Sequence, residues 1–158
     1  MSAASRRLAI ALFVVALGCP GGDDGGMETD FFSADYAATY TEVRNCRGSG
    51  DHDLNNIRIL ADPDALGPYE NRMDPFPVGA VVLKEEYDFG DAACEGEILQ
   101  WTVMQSLGDG SSPDTLDWAW QRVDPDRIVV EEDPPRCIAC HTGCGVPPDG
   151  YAGTCAIP

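Results

Sequence analysis

Two cysteines and a histidine near the C-terminal end carry the clearest chemical signal in the sequence. They form the pentapeptide Cys137-Ile138-Ala139-Cys140-His141. On a helical turn, residues three and four positions apart project from the same side, so both thiols and the imidazole would face one space. Two thiols can add to the two vinyl groups of a porphyrin, and an imidazole nitrogen can bind its iron. The spacing therefore predicts covalently attached haem c, with His141 as the proximal iron ligand.

The same side chains could serve two other purposes. Together with Cys144, the motif offers three thiols and an imidazole, which is the ligand set of a zinc knuckle. Cys137 and Cys140 alone have the spacing of a thioredoxin-like redox pair, but the sequence lacks the βαβ pattern of that fold. An oxidising compartment that supplies haem-attachment machinery favours haem over zinc.

The N-terminal segment predicts such a compartment. Arg6-Arg7 precedes an apolar run of ten residues, from Leu8 to Leu17. A bilayer span needs about 20 apolar residues, so this shorter run is typical of a signal peptide. Ala16-Leu17-Gly18-Cys19 resembles the bacterial lipobox, with Ala16 where Leu is usual. We expect residues 1–18 to be a lipoprotein signal peptide and Cys19 to carry lipid. The alternative is ordinary cleavage to a soluble periplasmic protein.

Length and composition bound the rest of the chain. Residues 19–29 are rich in Gly and Asp and read as a flexible tether, which leaves residues 30–158 as one haem domain. An apolar fraction of 44% with three Trp is enough for a packed core. The net charge of -17 argues against a nucleic-acid partner, because a duplex would repel it. The predicted membrane contact is through the lipid anchor alone.

The seven cysteines also predict disulfides. If lipid takes Cys19 and haem takes two thiols, then four remain: Cys46, Cys94, Cys144 and Cys155. In an oxidising compartment they form two bridges, and three pairings are open. We favour Cys46–Cys94, which would join a helix end to the sheet, and Cys144–Cys155, which would close a short loop rich in Pro and Gly.

The pattern of apolar residues predicts a mainly β fold. Phe32, Tyr36, Tyr40 and Val43 recur at helical spacing, so we expect an N-terminal helix within 30–45, capped by Asp30 or Ser33. A loop is expected over 63–77, with one helical turn near Ala65. Strands are predicted at 56–61, 78–87, 97–107, 117–123 and 128–131. Consecutive strands without intervening helices indicate an antiparallel sheet, followed by a short C-terminal helix that binds haem.

Lys84 is the only lysine of the sequence, and it lies in the most apolar predicted strand. Strand alternation places Val82 and Lys84 on one face and Leu83 on the other. The simple interpretation is an amine that reaches water beside Glu85 or Glu86.

Several segments together resemble the cytochrome P-460 family. They are Asn56-Ile57-Arg58-Ile59-Leu60-Ala61-Asp62, Pro77-Val78-Gly79-Ala80-Val81-Val82-Leu83-Lys84, Asp117-Trp118-Ala119-Trp120 and the haem motif with Thr142. The resemblance runs from about Tyr40 to the end of the chain. It implies a mainly antiparallel β fold with a five-coordinate haem, similar in fold to the cytochromes c′-beta.

The resemblance also implies a function and a role for Lys84. In that family a strand lysine is covalently joined to the porphyrin, and the modified haem oxidises hydroxylamine and passes electrons to an external acceptor. A carboxylate would take up protons, and Glu86 and Glu131 are the candidates. Arg58, which lies between Ile57 and Ile59, could pair with a haem propionate or simply face solvent. Two alternatives stay open: a module of the c′-beta kind that binds nitric oxide or another gas, and a simple electron-transfer cytochrome.

A few further residues have open roles. His52 lies in a polar turn and is either a surface residue or a second axial ligand; Met73 and Met104 are other possible axial ligands. Phe76 or Phe89 could form an apolar cap over the open iron position. The expected location is the periplasm, as a membrane-anchored lipoprotein, and a homodimer is one option for its assembly.

Overall fold

The fold is a six-stranded antiparallel sheet in which each strand pairs with the next along the chain. A computed structural model describes residues 29–155. The strands are β1 (Thr41–Gly48), β2 (Asn56–Ala61), β3 (Val81–Tyr87), β4 (Ile98–Ser106), β5 (Trp118–Val123) and β6 (Val129–Glu132). The α-helices are α1 (Tyr36–Thr39), α2 (Pro63–Asn71) and α3 (Pro135–Cys144). The expected mainly β fold, with a short N-terminal helix and a C-terminal helix, is confirmed.

Each face of the sheet supports its own hydrophobic cluster, as strand alternation requires. One face buries Ile57, Val82, Met104 and Trp120, and Cys137 and Ile138 of α3 pack against this cluster. The opposite face buries a second cluster, formed by Phe32, Tyr36, Leu60, Val81, Leu83, Trp101, Val103 and Val123. The face that α3 covers is therefore the one that can hold a functional site.

The predicted helix over 30–45 is wrong in extent. Only Tyr36–Thr39 is helical, and the chain then enters strand β1, which pairs with β2. The spacing of Phe32 and Tyr36 reflects their packing against Trp101 instead of a long helical face. Asp30 does not cap the helix, because its carboxylate binds Arg127. Pairing with a neighbouring strand outweighed a short helical pattern.

The predicted loop over 63–77 contains the nine-residue helix α2. Its start follows a standard signal: the Asp62 side chain accepts a hydrogen bond from the Ala65 N–H at 2.6 Å, and Pro63 stands at the first position. The helix ends at Asn71, and the next residue, Arg72, adopts a left-handed conformation. Tyr69 is buried by this helix in the cluster on the α3 side. The sequence predicted a loop here because the segment is rich in Pro and Gly, and the capping residues at its ends were not recognised.

Two disulfides connect segments of the fold. Cys46–Cys94 links β1 to the loop between β3 and β4, and Cys144–Cys155 joins the end of α3 to the C-terminal segment. This is the pairing that the sequence favoured.

The predicted signal peptide, the lipid site Cys19 and most of the tether lie outside the described residues. Within residues 29–155, no helix is both long enough and apolar enough to cross a membrane.

Candidate functional site

A cavity of about 370 Å³ lies between α3, the 49–55 turn and the sheet. Its walls bring together residues that are far apart in the sequence. Cys137, Cys140 and His141 line it from α3, and His52 lines it from the turn. The sheet contributes polar and charged side chains: Glu86, Gln100, Thr102, Arg122 and Glu131. Both thiols and the imidazole therefore open onto one space, as the helical spacing predicts.

The two motif thiols are free, whereas the next cysteine is not. Cys137 is half-buried and Cys140 is exposed, and neither forms a disulfide. Burial raises the pKa of the Cys137 thiol, and the nearby Lys84 partly opposes that effect. Cys144 is bonded to Cys155 and so cannot serve as a fourth zinc ligand. Helix α3 therefore offers two free thiols, which fits a ligand that is attached through two cysteines and does not fit a metal site that needs three.

His141 is held in one orientation. Its Nδ1 lies 2.6 Å from the carbonyl oxygen of Gly153, to which it donates as N–H, and its ring packs edge-on against Trp120 at 4.6 Å between centroids. Burial, with Lys84 nearby, lowers the pKa of His141 to about 4. The ring is therefore neutral near pH 7, and Nε2 keeps the lone pair that a metal needs.

The carbonyl that orients His141 depends on a glycine. Gly153 has a φ of +84°, and a Cβ there would lie 2.7 Å from Nε1 of Trp118. Trp118 in turn donates from Nε1 to the carbonyl of Ala152 at 2.7 Å. The C-terminal segment can approach β5 this closely only without a side chain at position 153.

Lys84 lies on the face of β3 that α3 covers. Its neighbours in a small apolar recess include Val82, Trp120, Cys137 and His141. Burial lowers the pKa of Lys84, which favours the neutral amine. Nζ does not reach Glu85, which points to the opposite face. It lies 2.6 Å from Nε2 of His52.

Glu86 is the most extensively bonded carboxylate on this face. Its oxygens accept hydrogen bonds from Asn55 at 3.1 Å, Gln100 at 2.9 Å and Thr102 at 3.1 Å, and Oε1 lies 3.0 Å from Nδ1 of His52. The side chain is 1% exposed. Although burial opposes ionisation, the hydrogen bonds from His52, Gln100 and Asn55 lower the pKa of Glu86 to about 2. Glu86 is therefore a fixed carboxylate near neutral pH.

Two other predicted site residues lie in different surroundings. Arg58 is on the opposite sheet face, where it pairs with the buried Glu85 and with Tyr87, so it cannot contact a propionate in the cavity. That prediction fails because alternate residues of β2 point to opposite faces. Glu131 does line the cavity, but it is 40% exposed and pairs with Arg122 at 3.1 Å.

The remaining candidates separate clearly by position. Met73 and Phe89 are 78% and 72% exposed, away from the cavity lining. Met104 is buried and lines the apolar recess beside Lys84, whereas Phe76 packs on Trp118. His52 is neither a plain surface residue nor free to ligate a metal, since both ring nitrogens have partners.

A comparison with protein families agrees with this geometry. The family model for Cytochrome P460 matches residues 34–145, which is most of the described chain. The chain belongs to the Cytochrome P460 family. A search of curated proteins found no match. Family membership implies a haem cofactor, and the donor set of the cavity fits one: two free thiols and a neutral, oriented imidazole.

His52 is the site residue whose role could not be inferred from the sequence of this Cytochrome P460 family member. It is one of only two histidines in the sequence, which is the one available signal. Its partner Glu86 is 34 positions away, and its partner Lys84 is 32 positions away. Only the folding of the 49–55 turn over β3 brings these three side chains together.

Proposed function

We propose that this protein is an exported c-type haem oxidoreductase that oxidises hydroxylamine. Cys137 and Cys140 would hold the porphyrin through two thioether bonds, and His141 Nε2 would bind its iron. When bound, the haem supplies an iron that binds the substrate nitrogen and a ring system that accepts electrons. The observation that carries the proposal is the shared cavity, where the haem motif faces the ionised Glu86.

Glu86 and His52 supply what oxidation of hydroxylamine requires of the protein. Each electron that leaves hydroxylamine for an external one-electron acceptor is accompanied by the loss of one N–H or O–H proton. An imidazole that is hydrogen-bonded to a buried carboxylate is a suitable base for such protons. His52 would accept a proton, and the adjacent carboxylate of Glu86 would stabilise the imidazolium, since the two groups are 3.0 Å apart.

Lys84 would form the third covalent bond to the haem, as in relatives that carry the lysine link. The support is its position: Nζ lies in the recess that Cys137 and His141 also line. The lowered pKa of the amine favours the nucleophilic form.

The cellular setting rests on the sequence. The segment before Cys19 supports export and a lipid anchor, which would keep the domain at a membrane surface in the periplasm. The net charge of -17 would favour a positively charged electron acceptor through steering.

The test is hydroxylamine-dependent reduction of a one-electron dye by the matured haem protein. We expect turnover by the wild-type protein and a loss of roughly 100-fold or more in kcat for Glu86→Gln, because the carboxylate that orients His52 and stabilises its protonated form is removed. Asp53→Asn is the matched control: it removes a carboxylate from the cavity rim, where Asp53 pairs with the exposed Arg136. Wild-type protein that binds nitric oxide but does not reduce the dye would instead support a gas-binding module. A six-coordinate, low-spin ferrous spectrum would indicate an electron carrier.

A further inference from the structure

The contact between Lys84 and His52 is not needed to hold a porphyrin or to bind hydroxylamine. Nζ of Lys84 lies 2.6 Å from Nε2 of His52, and Nδ1 of His52 lies 3.0 Å from Oε1 of Glu86. The three side chains form a continuous chain of hydrogen bonds in the sheet-side wall of the site. The His52 side chain is 15% exposed and that of Glu86 is 1% exposed, so water competes little for these bonds.

The direction in which hydrogen bonds are donated among these three side chains is set at Glu86. Its carboxylate already accepts hydrogen bonds from Asn55, Gln100 and Thr102, so it remains an acceptor toward His52. Nδ1 of His52 must then carry the hydrogen, which leaves the lone pair on Nε2. Nε2 can therefore accept a hydrogen from Lys84, and each partner fixes the geometry of the next.

We propose that His52, oriented by Glu86, is the positioning residue and proton acceptor that directs Lys84 to its covalent bond with the haem. This inference rests on the proposed haem c attachment. The same order of groups, carboxylate to imidazole to nucleophile, activates nucleophiles in many unrelated enzymes. Here the nucleophile is an amine, and the reaction occurs once, during maturation.

The bond-forming step balances with a peroxide as the oxidant. One N–H bond of the neutral Lys84 amine and one C–H bond of the porphyrin are replaced by an N–C bond, which releases two protons and two electrons. One molecule of hydrogen peroxide takes up both electrons and both protons and becomes two molecules of water. His52 receives at Nε2 the proton that leaves Nζ, and the new Nε2–H then donates a hydrogen bond to the lone pair of Nζ until the proton is passed on to the water formed from peroxide.

The sequence allows a direct test by peptide mass. Lys84 is the only lysine, and Arg136 directly precedes the haem motif. Trypsin does not cleave after a modified lysine. A linked protein therefore yields residues 73–122 joined through haem to residues 137–158. After reduction of the disulfides, an unlinked protein yields residues 73–84 and 85–122 separately, with haem on 137–158 alone.

The variants are His52→Ala and His52→Gln, with Asp53→Asn as the control in the same turn. All are matured with haem in the presence of hydrogen peroxide, and far-UV circular dichroism and thermal unfolding establish that each is folded. We expect the linked peptide to account for most of the wild-type and Asp53→Asn haem. We expect it to fall at least tenfold in His52→Ala. Glutamine can hydrogen-bond to Lys84 but cannot take its proton, so His52→Gln is expected to restore only part of the yield.

The outcomes separate the two proposals. A linked peptide at the wild-type level in folded His52→Ala would overturn the role of His52 and leave the haem site and its function intact. Wild-type protein with two thioether bonds and no lysine link would overturn this inference and the proposed role of Lys84. Wild-type protein without covalent haem would overturn the proposed function itself.

Discussion

Glu86→Gln should destabilise the protein by an amount that depends on pH. The folded structure lowers the pKa of Glu86 from 4.5 to about 2. A carboxyl group whose pKa is depressed on folding contributes stability above its unfolded pKa and loses that stability as pH falls through the folded pKa. Glu86 should therefore stabilise the fold fully above about pH 5 and hardly at all near about pH 2.

The size of the effect follows from the shift. A depression of about 2.5 units at about 1.4 kcal/mol per unit gives roughly 3 kcal/mol at about pH 7. At about pH 3 the same group contributes only about 1.5 kcal/mol, because its unfolded form is already protonated. Glutamine does not titrate, and its amide N–H groups replace one of the two oxygens, so they face either Asn55 and Gln100 at the Oε2 position or Thr102 at the Oε1 position. The loss in Glu86→Gln should thus be at least as large as this linkage term.

The measurement is urea unfolding followed by far-UV circular dichroism, with both disulfides intact, at about pH 7 and about pH 3. Glu131→Gln is the matched control: it removes an exposed ion pair with Arg122, and such a pair contributes about 1 kcal/mol or less. We expect the difference between the unfolding free energies of wild type and Glu86→Gln to be about 1.5 kcal/mol smaller at about pH 3 than at about pH 7. A difference that is the same at both pH values would refute the assignment of an ionised, hydrogen-bonded Glu86.

Three further outcomes are expected. Replacing both Cys46 and Cys94 by serine should lower the free energy of unfolding by about 4 kcal/mol, because the bridge closes a loop of 48 residues; an unchanged urea midpoint would contradict this. Gly153→Ala should lower the free energy of unfolding by about 1–3 kcal/mol, since φ at this position is +84°. It should also shift the haem absorption bands, because the carbonyl that holds His141 would move. Unaltered stability and unaltered bands would contradict the close approach of residue 153 to Trp118. Because the pKa of His141 is about 4, the bond between His141 and iron should persist on acidification from about pH 7 to about pH 5. Loss of the axial-ligand absorption bands between these pH values would show that the imidazole is protonated more easily than its burial implies.

The sequence was most informative where chemistry depends on local spacing. The haem motif places two thiols and an imidazole on one side of a single helix, and the structure opens all three onto one cavity. Strand alternation in β3 correctly placed Val82 and Lys84 on one face and Leu83 on the other, since the side-chain period of a strand is two. The same rule places Arg58 on the face of β2 opposite Ile57 and Ile59, and only the structure shows that α3 covers the face with the two isoleucines.

Tertiary structure decided what spacing cannot encode. The helical pattern over 30–45 gave way to β1, because pairing with β2 satisfies the backbone of residues 41–48. His52 became a site residue only because the 49–55 turn folds over β3 and brings an imidazole to Lys84 and Glu86. Hydrogen bonds and burial between segments more than thirty positions apart depend on the path of the whole chain. The sequence by itself therefore determined which groups can bind a porphyrin, and the folded sheet determined which carboxylate and which histidine face it.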